Sequence, residues 1–421
     1  MARLDMGGNL GHAGPWLIHS ASRRGSGIMG TKRVLMAWER GAGFGHSTQM
    51  ARLGVQLQAA GVEVVAAVRR AELCGPLVAA GIRLVRAPAW PAPAPGPHNN
   101  AARASATLTD TLASAGLSDP ASVQAVLAGW RAIFDAERPD LLVCDYAPLA
   151  APAARGLCPV MQVGTAYCLP PAEAEDLPVL HEFTPRLYRD RDLLAAVNTA
   201  LDATGLAPLE RIGGLFAGDD VFVRSFPLLD PYADMRANEA EGPILNAPIA
   251  ERRADARGIF AYLHLDVASR PDVAQALHAL GRSLEIHVPG AGAAITAPLR
   301  AAGARVHEQA APIAQVLARS RLLLHQGSAG IASEALLAGV PQLTLSIHAE
   351  HYFNGEALAA AGVGRNVPLF DPRSRIAVET IAALNTDPDI GFMAEAAGRI
   401  YRTLMDANPL DTLTRRCLAL L

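Results

Sequence analysis

Between Arg321 and Leu345 the chain reads Arg-Leu-Leu-Leu-His325, then Gln-Gly-Ser-Ala-Gly-Ile-Ala-Ser-Glu334-Ala-Leu-Leu-Ala-Gly-Val-Pro341, then Gln-Leu-Thr-Leu345. The first run is apolar and too short for a helix, so it reads as a buried strand. Gly327, Ser328, Ala329 and Gly330 form a turn, Ser333–Ala338 is helical up to Gly339, and Gln342–Leu345 begins the next strand. Strand, glycine loop, helix and strand in that order impose a parallel sheet with a crossover helix. The same order sets free backbone N–H groups and the positive end of the helix dipole in front of the sheet edge, which is an anion site that a diphosphate fits best.

The alternation extends along most of the chain. In the first half, Val34–Trp38, Val62–Val68, Ile82–Val85 and Leu141–Cys144 read as strands, with helices expected over Gln49–Ala60 and Ala121–Ala136; after Pro159–Val163 and the Pro170-Pro171 break the chain reads as irregular and partly helical as far as Val221–Arg224. In the second, Gly258–Leu263, Leu284–Val288, Ala304–Val306, Leu322–Leu324 and Leu343–Leu345 repeat the pattern. A length of 421 residues exceeds one ordinary core, so two domains are expected. The segment 239–248, with Gly242-Pro243 and Pro248 and no periodicity, reads as the linker between them. The expected layout is an extension over 1–30, an N-terminal domain over 31–238, a C-terminal domain over 249–392, and helices over 393–421.

Composition removes several classes of partner. Charged residues make up 18% and the formal net charge is −3, so no global basic field attracts nucleic acid or an anionic membrane. Cys74, Cys144, Cys158, Cys168 and Cys417 have neither metal-ligand nor paired spacing and sit in apolar surroundings, which suits a reducing cytoplasm. No apolar run reaches the roughly 18 residues of a membrane span. Residues 1–30 lack the apolar core of an export signal and read as an extension, with translation expected to begin at Met29. Pro91–Asn100 is a Pro/Ala/Gly loop that no packed element tolerates.

Two further groups of residues carry chemistry. Gly41-Ala-Gly43-Phe-Gly45-His46 follows the first strand, at the carboxyl edge where α/β sheets bind ligands. Glycines admit substrate close to the backbone, and histidine supplies a base. A dinucleotide fingerprint is the rival reading; it fails because His46 holds the third glycine position and Arg69-Arg70, with no acid, follows the second strand. Asp145 closes another strand, placed to orient the His46 imidazole and stabilise its protonated form. The plainer alternatives are that His46 packs under its loop and that Asp145 caps a turn. His348 and His351 have a metal-ligand spacing but no third ligand to complete it.

Glu334-Ala-Leu, Gly339-Val-Pro341 and Glu350-His351-Tyr-Phe-Asn354, in that order, resemble the donor-binding signature of GT-B-fold, UDP-glycosyltransferase-like nucleotide-sugar glycosyltransferases. Shorter stretches such as Trp38-Glu39-Arg40-Gly and Phe226-Pro-Leu-Leu-Asp230 extend the resemblance over most of the chain after residue 31. It implies an α/β GT-B fold, two Rossmann-like domains facing across a cleft, the N-terminal one binding the acceptor and the C-terminal one the nucleotide sugar, with the helices over 393–421 returning to the first domain and the Pro91–Asn100 region helping to form the acceptor side. It also implies an inverting, metal-independent glycosyl transfer in which His46 is the base and Asp145 its partner.

On the donor side the resemblance implies a site made of Gly327, Ser328, Ala329, Gly330, Glu334 on the ribose, and Glu350, His351 and Asn354 near the sugar. The diphosphate-binding histidine of the family falls on Gln326, so either Gln326 replaces it or the loop is shifted and His325 serves. Gly43, Gly45 and Glu39 border the acceptor or phosphate loop; Glu39 contacts a ligand or forms a structural salt bridge. No cofactor is expected beyond a UDP- or dTDP-linked sugar as co-substrate. The expected partners are that sugar and a small acceptor alcohol, with the protein cytoplasmic and a monomer or homodimer. A nucleotide-sugar 2-epimerase and a non-catalytic nucleotide-sugar-binding or activator protein are the competing readings.

Overall fold

The computed structural model describes residues 31–41, 44–90, 105–405 and 407–421, Phe44 by its backbone alone. The 1–30 extension, Gly43 and the Pro91–Asn100 loop lie outside the described residues.

Two six-stranded parallel sheets organise these residues. The first contains β1 (Arg33–Trp38), β2 (Glu63–Val68), β3 (Arg83–Arg86), β4 (Leu141–Asp145), β5 (Val160–Gly164) and β6 (Asp220–Val223), in the spatial order β3-β2-β1-β4-β5-β6. The second contains β7 (Gly258–Tyr262), β8 (Leu284–His287), β9 (Arg305–His307), β10 (Ser320–His325), β11 (Gln342–Ser346) and β12 (Gly364–Pro368), in the order β12-β11-β10-β7-β8-β9. The orders are equivalent. Each sheet grows to one side of its first strand and then, with its fourth strand, to the other. The crevice of such a sheet opens at the carboxyl ends of the two strands where the order reverses: β1 with β4, and β7 with β10. Strands β1, β4 and β11 are buried along almost their whole length, as strands covered by helices on both faces must be.

Both helices that leave these crevices start earlier than their apolar spacing indicates. Helix Phe44–Ala59 begins five residues before Gln49, and helix Ala329–Ala338 begins four before Ser333. In the first, Met50, Leu53 and Leu57 mark the buried face, whereas the preceding turn carries Gly45, His46, Ser47 and Thr48 toward the sheet edge. A first turn that faces a crevice has no apolar period to announce it. Strand β12, Gly-Arg-Asn-Val-Pro, is likewise silent in the sequence: a charged, half-buried edge strand gives no continuous apolar run.

The C-terminal helices divide their contacts. Helix Pro388–Thr403 stays on the second sheet's side, where Arg402 donates to the carbonyl of Leu337 and Gly398 lies against Leu336. Helix Pro409–Ala419 lies on helix Phe44–Ala59: Gln56 bonds Asp411 at 2.8 Å and Thr414 at 2.5 Å, and Leu410, Leu413 and Cys417 enter the core beneath the first sheet. Between the two halves, His181 and Phe183 meet Tyr352 and Phe370 with ring centroids 5.0–5.8 Å apart.

Candidate functional site

In the first crevice β1 leads through Gly41 into helix Phe44–Ala59, whose first turn holds His46, while β4 ends on Asp145. Nδ1 of His46 lies 2.9 Å from Asp145 Oδ1. The imidazole stacks on Trp38 at 5.2 Å, and a Cβ on Gly41 would come within 2.5 Å of Nε2, so only a glycine lets the backbone pass there. Asp145 is 2% exposed and also accepts from Arg224 on both oxygens, at 3.0 and 2.8 Å. Burial works to raise the Asp145 carboxyl, but the charges of Arg224 and His46 outweigh it and hold it at about 2. An ionised Asp145 makes Nδ1 the donor and leaves Nε2 as the nitrogen able to take a proton. Beyond Asp145, Tyr146 adopts φ +48°, a left-handed conformation uncommon for a bulky residue, and its carbonyl accepts from Arg40 N–H at 3.1 Å.

Arg224 and Thr165 had no assigned role in the sequence. The available signal was position: each directly follows a parallel strand, β6 and β5, at the carboxyl edge. Glu39 turns inward. Its carboxyl accepts from Trp130 Nε1 at 2.5 Å and Leu149 N–H at 3.2 Å, neither partner a cation, and burial raises it to about 7. Gly45 is exposed, with open space where a side chain would stand.

In the second crevice β10 runs into Gln326-Gly327-Ser328 and then helix Ala329–Ala338. His325 is fully buried, its Nδ1 accepts from Gly327 N–H at 3.1 Å, and burial lowers it to about 4. Gln326, oriented so that its amide oxygen accepts from His264 N–H at 2.5 Å and its nitrogen donates to the Tyr262 carbonyl at 3.3 Å, ties the loop to the end of β7. Both side chains on which the register question turned are thus engaged inside the protein.

Gly327 has φ +106°, and a Cβ there would meet the His351 carbonyl at 2.6 Å and Thr344 Cγ2 at 2.7 Å. Asn354 donates to the Gly327 carbonyl at 2.7 Å, and His351 Nε2 lies 3.1 Å from Ser328 Oγ. Helix Ala349–Ala360 therefore shapes the glycine loop through His351 and Asn354. His351 stacks on His348 at 3.6 Å, and burial followed by the neighbouring histidines holds it well below its ordinary value. Among the described residues no group of three or more metal-ligating side chains is assembled.

Three features of the second crevice remain open to a ligand. Gly330 is exposed, and no other atom lies within 4 Å of the point where a Cβ would stand. The N–H groups of Ala329, Gly330 and Ile331, before the first intrahelical bond from Ala332 to Ser328, therefore stand at the helix's positive end. Glu334, on the same helix, is raised to about 7 by burial. Glu350 reaches the other half: burial raises its carboxyl to about 7 against the pull of His46 and Arg224. Sequence separates Glu350 from His46 by the whole linker; the fold brings them into one electrostatic neighbourhood.

No protein-family model matches the chain, and no curated protein matches it in sequence. Solved structures do match its fold. The calicheamicin glycosyltransferase CalG4 superimposes with a TM-score of 0.64 at 17% identity, covering 93% of this chain and 99% of that one. A glycotransferase of kitacinnamycin gives 0.64 at 16% identity, covering 92% and 99%. The spinosyn rhamnosyltransferase SpnG complexed with thymidine diphosphate gives 0.62 at 19% identity, covering 92% and 100%. The chain has the GT-B fold of these glycosyltransferases, two Rossmann-like halves with their crevices in one molecule, over nearly its full length.

Proposed function

We propose that this protein is a glycosyltransferase that moves a sugar from a nucleoside diphosphate sugar, linked to thymidine or uridine diphosphate, to a hydroxyl of a small-molecule acceptor with inversion at the anomeric carbon. The observation that carries this reading is the pairing of a buried, ionised Asp145 on His46 in one crevice with an open helix N-terminus in the other, bridged by Glu350. Nε2 of His46 removes the acceptor proton as the acceptor oxygen attacks the anomeric carbon. The bond from that carbon to the β-phosphate oxygen breaks, and the electron pair leaves with the nucleoside diphosphate. Charge builds on the departing diphosphate, where the N–H groups of Ala329 and Gly330 and the Ser328 hydroxyl receive it. In this reading Glu334 binds the ribose, Glu350 a sugar hydroxyl, and His325 and Gln326 hold the loop in shape. Backbone dipoles supply the neutralisation, so no divalent metal is required.

Spinosyn and calicheamicin transferases share the fold, and one was solved with thymidine diphosphate, which directs the first donors to test. The experiment is transfer from TDP- and UDP-sugars to an acceptor panel in EDTA, with the product's anomeric configuration read by NMR. Transfer with inversion, reduced about 10²–10⁴-fold in kcat by His46→Ala with little change in TDP affinity, is expected. Retention of configuration, or wild-type turnover by the His46 variant, overturns the mechanism. Conversion of the donor without acceptor would favour the epimerase reading.

A further inference from the structure

The cavity beside His46 gathers charge that the transfer step leaves unused. Trp38, Glu39, Arg40, Gly41, Arg69 and Arg70 line a space of ≈ 380 Å³ at the carboxyl edge of β1 and β2. That is within the range of small-ligand sites, about 300–1,000 Å³. Two residues of its wall touch the dyad: Trp38 stacks on the imidazole, and the bare backbone of Gly41 lies beside Nε2.

The three guanidinium groups there are poorly neutralised. Arg70 pairs with Glu72 at 2.9 Å, an exposed contact that water screens. Arg69 donates to the backbone carbonyl of Glu39 at 3.0 Å, and Arg40 sits 4.9 Å from the Trp90 ring with its Nε buried and unpartnered. Among the described residues neither Arg40 nor Arg69 forms an ion pair with a carboxylate. Glu39, the one acid on the wall, spends its carboxyl on Trp130 and Leu149. The sequence from Pro91 to Ala104, which follows Trp90, contains no Asp or Glu. Burial and then the like charge of Arg40 lower Arg69, and the Glu39 charge only partly offsets them, so the cluster still repels itself until an anion enters. A neutral ligand would leave that repulsion in place.

We propose that this cavity is the acceptor subsite and that it selects acceptors bearing an anionic group, a carboxylate or a phosphate, which Arg40 and Arg69 hold while the hydroxyl to be glycosylated meets His46 Nε2. This rests on the transfer reaction proposed above. The test uses three probes of one shape: 4-hydroxyphenylacetate, 4-hydroxybenzylphosphonate and the neutral 4-hydroxyphenylacetamide. Binding is followed by tryptophan fluorescence with TDP saturating, so that the diphosphate site is filled, and transfer is measured separately. Either anion should bind about 10–100-fold more tightly than the amide, the usual range for one or two charge-assisted hydrogen bonds. The preference between carboxylate and phosphonate identifies which anion the cluster suits. Arg69→Gln and Arg40→Gln should each shrink the ratio toward one, with melting temperature and TDP affinity as checks that the fold persists. Anion-selective binding without transfer of sugar supports the pocket and counts against the reaction. Equal affinity for anions and amide, or no binding of any probe, overturns the pocket whatever the transfer assay shows.

Discussion

At the scale of single residues, two glycines in one loop carry different burdens. Gly327 is required by its own protein: φ is +106° and the His351 carbonyl occupies the space a Cβ would need. Gly330 has open space before it, in the first turn of a helix, where a side chain costs the fold nothing and blocks a ligand. Gly330→Leu should therefore leave the melting temperature within a few degrees of wild type and weaken TDP binding by tenfold or more, read by calorimetry. Gly327→Ala should lower the melting temperature as well. Equal TDP affinity in wild type and Gly330→Leu would remove the helix N-terminus from the donor site. Arg224 offers a second test. It grips both oxygens of Asp145 and so competes with His46 for that carboxylate. Arg224→Gln removes both of those contacts and leaves Asp145 held by His46 alone, so kcat is expected to fall by about tenfold or more at unchanged TDP affinity, and a wild-type kcat would leave Arg224 outside the catalytic machinery.

At the scale of elements, the C-terminal helix Pro409–Ala419 is a part of the first core supplied from the far end of the chain. Asn408 caps it through Leu410 N–H at 3.1 Å, Pro409 starts it, and Leu413, 1% exposed, packs beneath the sheet. Arg416 fixes its azimuth by reaching Asp220 and, at 2.6 Å, Glu241. Truncating Leu413 to Ala should cost about 2–5 kcal/mol, the range for a buried leucine. Urea unfolding followed by probes in each half locates the loss: it should fall on the transition that reports the first sheet, and TDP affinity should stay near wild type. A loss below about 0.5 kcal/mol would mean that the helix is only loosely docked.

At the scale of the molecule, burial has shifted two sets of groups in opposite directions. His325 and His348 are lowered to about 4, and Glu39, Glu334 and Glu350 are raised to about 7. The histidines stay neutral when folded but protonate when unfolded below their ordinary 6.5, so their contribution to stability is lost as pH falls from 6.5 toward 4. The carboxyls behave in the reverse sense. Folded, they keep their protons while the unfolded chain ionises above 4.5; their contribution is present below 4.5 and lost as pH rises through 7. His351 is lowered as well, so three histidines oppose three carboxyls; the two slopes overlap, and stability should be nearly flat between about pH 5 and 6.5. Glu39→Gln removes one member of the second set at a position 3% exposed. Relative to wild type, it should gain about 3 kcal/mol on going from pH 4.5 to pH 7. An offset independent of pH would show that Glu39 ionises normally in the folded chain.

The order of strands, loops and helices was legible in the sequence because buried parallel strands are continuous apolar runs and glycine loops interrupt them. The same local signals singled out His46, Asp145 and the loop from Gln326 to Gly330, each at the end of a strand. Helix starts at Phe44 and Ala329 were not legible, because a first turn that faces a crevice has no buried side to set a period. Edge strand β12 was hidden for the related reason that half of it faces water. Partners were beyond reach altogether. That Arg224 shares Asp145 with His46, that Glu39 turns to Trp130 and that Gln326 closes on the end of β7 are contacts between segments roughly 60 to 100 residues apart. Periodicity and spacing act over a few residues, whereas these contacts exist only once two sheets have closed and burial has decided which charges survive beside one another.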